Sequence, residues 1–229
     1  MKAENVLKTG AVETKLIEKK FSNELRPFLT KPLTAVVICS VVPDVLSAVV
    51  KIVKKKSGIN PVVVGKNITV PIKNNYRIPS QVGQDRLVVA YAAKALYGAP
   101  AIVIDFGTAI TFDVISRKGE YEGGMILPGI QLSAESLFQK TALLPRIDTI
   151  KPPKNLIGKN TQESILSGLF NGYGAMSAGL IDAIAKEIGG NPKVIVTGGY
   201  THLMKKFISH KIHAIDPQLI FKGLARLSS

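Results

Sequence analysis

The sequence predicts an α/β protein, and three observations carry that expectation. Short β-branched apolar runs recur: LTAVVICSVVP (33–43), NPVVVG (60–65), PAIVIDFG (100–107) and PKVIVTGG (192–199). Stretches of helical spacing lie between them. A glycine-rich return, YEGGMILPG, follows the third run and turns the alternation into a hairpin or meander. Strands alternating with helices, with one meander in the second half, predict α/β with two lobes.

The run at 33–43 is stopped by proline and reads as a buried strand. DVLSAVVKIVKKK (44–56) has helical spacing, with Asp44 as a candidate N-cap. Residues 60–65 are a second short strand, and 66–80, with prolines at 71 and 79, read as loop and edge structure. QDRLVVAYAAKALYG (84–98) is a helix ending at Gly98. Strands at 100–107 and 109–116 precede the glycine-rich return, and SAESLFQKTALL (133–144) is helical until Pro145. DTIKPPKNLIGKN (148–160) is an extended connector. Asn160 and Glu163 form a candidate capping box. The longest helix starts there, with Ile165, Leu169, Tyr173, Met176, Leu180, Ile184 and Ile188 as its expected inward stripe. Gly168, Gly172, Gly174 and Gly179 interrupt it, each costing about 1 kcal/mol against alanine. Glycines clustered on one helix point to close packing by a helix, a ligand or a second subunit.

Of 229 residues, 46% are hydrophobic, enough to bury a core. No run of about 18 apolar residues suggests a membrane span. The first residues, MKAENVLKTGAVETK, hold no apolar signal core, so a cytoplasmic protein is expected. The single cysteine, Cys39, lies in an apolar run and reads as an inert core thiol. The net charge of +14 could attract nucleic acid, anionic lipid or phosphorylated small molecules. The lysines are scattered, with short clusters at Lys54–Lys56 and Lys205–Lys206 and no interleaved aromatics, so solvated helix faces fit better than a nucleic-acid groove. His210 and His213 lack a third ligand nearby in sequence and do not read as a metal site.

Chemistry collects at strand ends, where α/β folds gather ligands. In Asp105-Phe106-Gly107-Thr108 the carboxylate can hold a cation, Gly107 lets backbone approach a phosphate, and Thr108 adds a hydroxyl. A simple turn also uses Asp and Gly. Thr197-Gly198-Gly199 suits a flat ring or ribose lying on bare backbone, or a plain strand-to-helix turn. Gly83-Gln84-Asp85-Arg86 opens a helix, whose N-terminus offers N–H groups and a positive field. Asp85 there could accept a proton from an alcohol and Arg86 could fork onto a carboxylate or phosphate, although Asp is also an ordinary cap.

In order and spacing, GQDR, IDFGTAITFDVI, GEYEGGMILPGI, TALLPRI, GKNTQESILSG, TGG and DPQLIFKGL resemble the type III pantothenate kinases over roughly residues 33–226. The resemblance implies two RNase H-like lobes of the actin, hexokinase and acetate kinase superfamily, here divided at 1–98 and 99–229. It implies transfer of the ATP γ-phosphoryl group to pantothenate, with Mg2+ and a monovalent cation, K+ or NH4+. Carried over, Asp85 is the catalytic base. Tyr76, Gly83, Gln84, Asp85, Arg86 and Thr161 bind pantothenate, Gly107, Thr108, Gly198 and Gly199 bind ATP, and Asp105 holds the monovalent cation. It also implies a homodimer whose pantothenate site is completed across the interface, a role the glycine-studded helix fits. Partners are then pantothenate and ATP rather than nucleic acid or membrane.

The family begins with an apolar strand and an Asp-x-Gly-Asn-Thr phosphate loop that does not occur in these 229 residues. The expectation is a first lobe shortened at its N-terminus, through a misassigned start or a true truncation that impairs ATP use. The competing function is a non-catalytic nucleotide- or pantothenate-binding relative that acts as a transcription accessory protein.

Overall fold

The structure is a computed structural model and describes residues 6, 8–10, 17–29, 33–208 and 211–228. They divide into two compact units. Unit 1 draws on Met1–Ile72, Arg77–Ala92 and Gln218–Ser229; unit 2 draws on Lys73–Tyr76 and Ala93–Pro217.

In unit 1, β1 (Val37–Ile38) pairs in parallel with β2 (Val62–Val63). The strand expected over 33–43 therefore shrinks to two ladder residues. Val41 and Val42 are exposed, and Pro43, which has no N–H to donate to a ladder, already belongs to α2 (Pro43–Ser57). Asp44 is not the N-cap: Val42 holds that position, Pro43 presets the first helical φ, and Asp44 sits in the first turn against the helix dipole. The helix ends at Gly58, whose φ of 73° lets its N–H reach the Lys54 carbonyl at 3.0 Å. Leu46 and Val53 are its buried residues, and α1 (Ile17–Glu24) packs on it. α3 (Gln84–Tyr97) contributes its first residues to this unit, and α7 (Leu219–Leu227) returns late in the chain to pack on β1. Val64, Val88 and Leu227 form the buried centre. Gly223 permits that approach, because a Cβ there would lie 2.8 Å from Val88.

Unit 2 is built on a five-stranded sheet in the order β5-β4-β3-β6-β7. β3 (Ala101–Phe106), β4 (Ala109–Ile115) and β5 (Tyr121–Pro128) form the antiparallel meander. β6 (Lys193–Thr197) joins β3 in parallel, and β7 (Ala214–Ile215) joins β6 in parallel. Ile102, Ile104, Phe106, Ile110, Phe112 and Val196 point one way, into a core shared with Phe170, Ile181 and Ile184 of α5 (Thr161–Ile188). α4 (Ile130–Lys140) and α6 (Thr201–Ile208) pack against α5.

Two helices differ from the sequence reading. α4 starts at Ile130 and stops at Lys140, short of the expected 133–144, because the Thr141 hydroxyl takes the Leu137 carbonyl at 2.7 Å and the chain turns extended, with Leu143 fully out in solvent. α5 buries Ile165, Leu166, Ser167, Phe170, Gly174, Ser177, Ile181 and Ile184, so of the expected stripe only Ile165 and Ile184 are buried. The helix presents small residues where α6 comes close: a Cβ on Gly174 would lie 2.6 Å from the Phe207 Cβ. The α5 cap is also offset. Glu163 N–H donates to Asn160 Oδ1 at 2.9 Å, but the Glu163 carboxylate accepts from the N–H of Lys159, one residue ahead of a capping box, at 2.8 Å.

Behind the sheet's other face, Tyr97 at the end of α3 donates its hydroxyl to the buried Asp216 at 2.9 Å, and Lys193 Nζ donates to the Tyr97 carbonyl. Asp113 on β4 is buried and accepts hydroxyls from Tyr121 and Thr111, each at 2.9 Å.

Candidate functional site

β3 and β6 run parallel in register from Ala101↔Lys193 to Asp105↔Thr197, so their carboxyl ends coincide. Asp105 stands opposite Thr197 on β6 and opposite Thr111 on β4. Directly partnered residues project to the same face of a sheet, so three oxygen-bearing side chains lie in a row across three strands. Two glycines let that carboxylate lie close against the neighbouring backbone. Gly198 has φ +97°, and a Cβ on it would overlap Asp105 Oδ1 and come within 2.6 Å of the Phe106 carbonyl. A Cβ on Gly107 would lie 3.2 Å from the same oxygen. The turn after β6 is pinned to β3, since Tyr200 N–H donates to the Phe106 carbonyl at 2.9 Å. Gly199 is exposed and faces open space, and Thr108 is exposed at the tip of the β3–β4 turn, which Gly107 N–H closes onto the Ala109 carbonyl at 3.1 Å. Thus Asp105, Gly107, Thr108, Gly198 and Gly199 share one end of the sheet.

Gly129 belongs with them and was given no role by sequence reasoning. Its N–H donates to the Thr108 carbonyl at 3.0 Å, and a Cβ would overlap the carbonyl oxygens of both Gly107 and Thr108. Its only trace in the sequence is its place after Pro128, where β5 ends and α4 begins.

In unit 1 the other predicted residues gather at the head of α3. Asp85 lies in the first turn, and its Oδ1 accepts the Arg86 N–H at 2.9 Å. A Cβ on Gly83 would overlap that same oxygen, so the Asp85 carboxylate rests against a residue without a side chain. The Gln84 side chain passes Gly65, where φ is +80° and a Cβ would lie 2.8 Å from it. Cys39 is half-buried, and burial, then the charge of Asp85, pushes its thiol from 9.0 up to about 11. Tyr76 belongs to unit 2, where its ring lies tilted against Tyr121 with centroids 6.5 Å apart. Gly123, with φ +115°, makes room for it. Thr161 is on a different element, as the exposed first residue of α5.

Among the described residues, no cluster of three or more His, Cys, Asp or Glu side chains could hold a metal ion. His213 is exposed, and His210 lies outside the described residues. No helix among them is long and apolar enough to cross a membrane.

The family model described as type III pantothenate kinase matches residues 2–184. The chain belongs to the type III pantothenate kinase family. It is 47% identical over 188 residues to the type III pantothenate kinase of Persephonella marina, covering 82% of this chain and 73% of that one. It is 40% identical over 192 residues to the enzyme of the same name from a Sulfurihydrogenibium species, covering 84% and 75%. Among solved structures it is similar to a conserved Campylobacter jejuni protein assigned to the Baf family of transcriptional activators, with a TM-score of 0.56, 23% identity and 89% and 86% of the two chains covered. The ethanolamine utilization protein EutJ of Carboxydothermus hydrogenoformans matches with a TM-score of 0.51 and 18% identity over 93% and 73%. These likenesses bear on fold alone, an actin- and hexokinase-like α/β fold, as the pantothenate kinase motifs implied.

Proposed function

We propose that the chain transfers the γ-phosphoryl group of ATP to the hydroxyl of pantothenate, the first step of coenzyme A biosynthesis, in the cytoplasm. The observation that carries this reading is the Asp105 carboxylate packed against Gly107 and Gly198 at the shared end of β3 and β6. Phosphoryl transfer asks little covalent help from a protein and much positioning of charge. ATP enters with Mg2+, which offsets the charge of its phosphates. A monovalent cation, K+ or NH4+, is held at Asp105, with Thr111 and Thr197 in register on either side. Gly107 and the Thr108 hydroxyl serve the phosphates, and Gly198 and Gly199 leave bare backbone for the adenosine.

Asp85 takes the proton as the pantothenate hydroxyl oxygen bonds to the γ-phosphorus and ADP leaves. The Arg86 N–H fixes Asp85 Oδ1 for that task. Gly83 and Gln84 shape the loop, the Arg86 guanidinium forks onto the pantothenate carboxylate, and Tyr76 and Thr161 add substrate contacts. Two copies associate through α5.

The test is ADP release that depends on pantothenate, with K+ or NH4+ present, alongside separate calorimetric titrations with ATP and pantothenate. Asp85→Asn is expected to lower turnover by about 10²- to 10⁴-fold while both ligands still bind. Turnover unchanged in that variant, or absence of pantothenate binding by the wild type, overturns the reading.

A further inference from the structure

Asp113 is a carboxylate that the phosphoryl-transfer reading does not use. It is 1% exposed, in the middle of a strand whose neighbours are apolar. Burying a carboxylate is costly unless its oxygens are hydrogen-bonded, and an apolar residue would fill the position at less cost. Oδ1 accepts the Tyr121 hydroxyl and Oδ2 accepts the Thr111 hydroxyl, both at 2.9 Å. Thr111 is the ladder partner of Asp105, and Asp113 is the partner of Val103, two residues back on the same face. The polar line therefore runs from Asp105 through Thr111 to Asp113.

We propose that Asp113 is a positioning residue for the cation site at Asp105, acting through Thr111. A threonine hydroxyl has one proton and two lone pairs. With its proton committed to Asp113, the Thr111 oxygen can only accept on its other side. Beside Asp105 that makes it a neutral ligand for a hard cation and a poor partner for a phosphate oxygen. Thr197, the partner of Asp105 on β6, supplies the third oxygen of the row. The same device is the counterpart of an outer hydrogen bond that orients a metal ligand, whose loss lowers metal affinity by about 10- to 100-fold. This inference rests on the reading of Asp105 as the cation position.

The experiment measures the melting temperature of the full chain against KCl, with choline chloride matching ionic strength, and cross-checks it by thallium-205 NMR titration with Tl+ in place of K+. Asp113→Asn and Thr111→Val are expected to raise the half-saturating cation concentration about tenfold or more, and Thr111→Ser to restore it. Tyr121→Phe removes the other donor to Asp113; it is expected to lower the melting temperature while leaving the cation midpoint in place. This separates positioning from simple support of the fold. A wild-type response to K+ that Thr111→Val and Asp113→Asn leave unmoved overturns the proposal alone. A wild type with no response to K+ or Tl+ overturns it together with the reading of Asp105.

Discussion

Cys39 and Asp85 are distant in sequence and electrostatically coupled in unit 1. With the thiol pushed up to about 11, chiefly by burial and then by the Asp85 charge, only about one molecule in a thousand carries a thiolate at pH 8. Alkylation by iodoacetamide, followed by mass shift, is therefore expected to be slow at pH 8 and to rise steeply toward pH 10. Asp85→Asn removes the smaller of the two causes and should speed alkylation severalfold at pH 8. Identical profiles for the two proteins would show that the carboxylate does not act on the thiol. The apolar run around Cys39 made an inert thiol readable from sequence, because burial follows from local composition. The Asp85 contribution was not readable, because it depends on where α3 begins relative to β1. The same division holds at the site. Asp105, Gly107 and Thr108 are adjacent in sequence and signal themselves as a motif. The row Thr111–Asp105–Thr197 and the packing of Gly129 exist only through strand register and turn geometry.

Among the elements, α5 shows most plainly what periodicity can and cannot convey. Its length, start and glycine content were legible; its inward face was only partly so, since Leu166, Phe170 and Ile181 are buried in place of Leu169, Met176 and Leu180, with Ser167, Gly174 and Ser177, which carry no hydrophobic signal, among them. The glycines separate into two kinds. Gly174 is buried against Phe207, and alanine there must displace backbone, at a cost of about 1–3 kcal/mol. A Cβ on Gly168, Gly172 or Gly179 would meet nothing within 4 Å in the isolated chain. Alanine at each should raise stability by up to about 1 kcal/mol through helix propensity. If two copies pack through this face, as proposed, the same substitutions weaken association. The expected outcome for the triple variant is a higher melting temperature at low protein concentration and a faster dissociation of dimers in analytical ultracentrifugation. A stabilised variant with unchanged association would place the contact between copies elsewhere.

On the scale of the whole molecule, the two units carry separate reporters of alkaline unfolding. In unit 2, burial first and then the hydrogen bond and charge of Asp216 push Tyr97 from 10.0 up to about 12. In unit 1, Cys39 rises from 9.0 to about 11. A raised pKa means that the folded form holds its proton more tightly than the unfolded chain, so stability falls where only the unfolded chain has released it. The Cys39 contribution is complete below pH 9 and lost toward 11; that of Tyr97 is complete below pH 10 and lost toward 12. Melting curves from pH 8 to 11.5 should therefore decline in two stages. Cys39→Ala should flatten the first, and Tyr97→Phe the second, the latter at a cost of about 1–2 kcal/mol at neutral pH for the lost hydrogen bond to Asp216. A decline that neither substitution alters would assign alkaline loss to other groups.

The late return of α7 has a bearing on biosynthesis. Unit 2 draws its residues from one nearly continuous stretch that ends at Pro217 and can be completed without the α7 segment. Unit 1 cannot, because Gly223 and Leu227 seal the pocket around Val88 on the very helix that bears Asp85. A partly made chain that stops before α7 therefore leaves the surroundings of Val88 unsealed, whatever the state of unit 2.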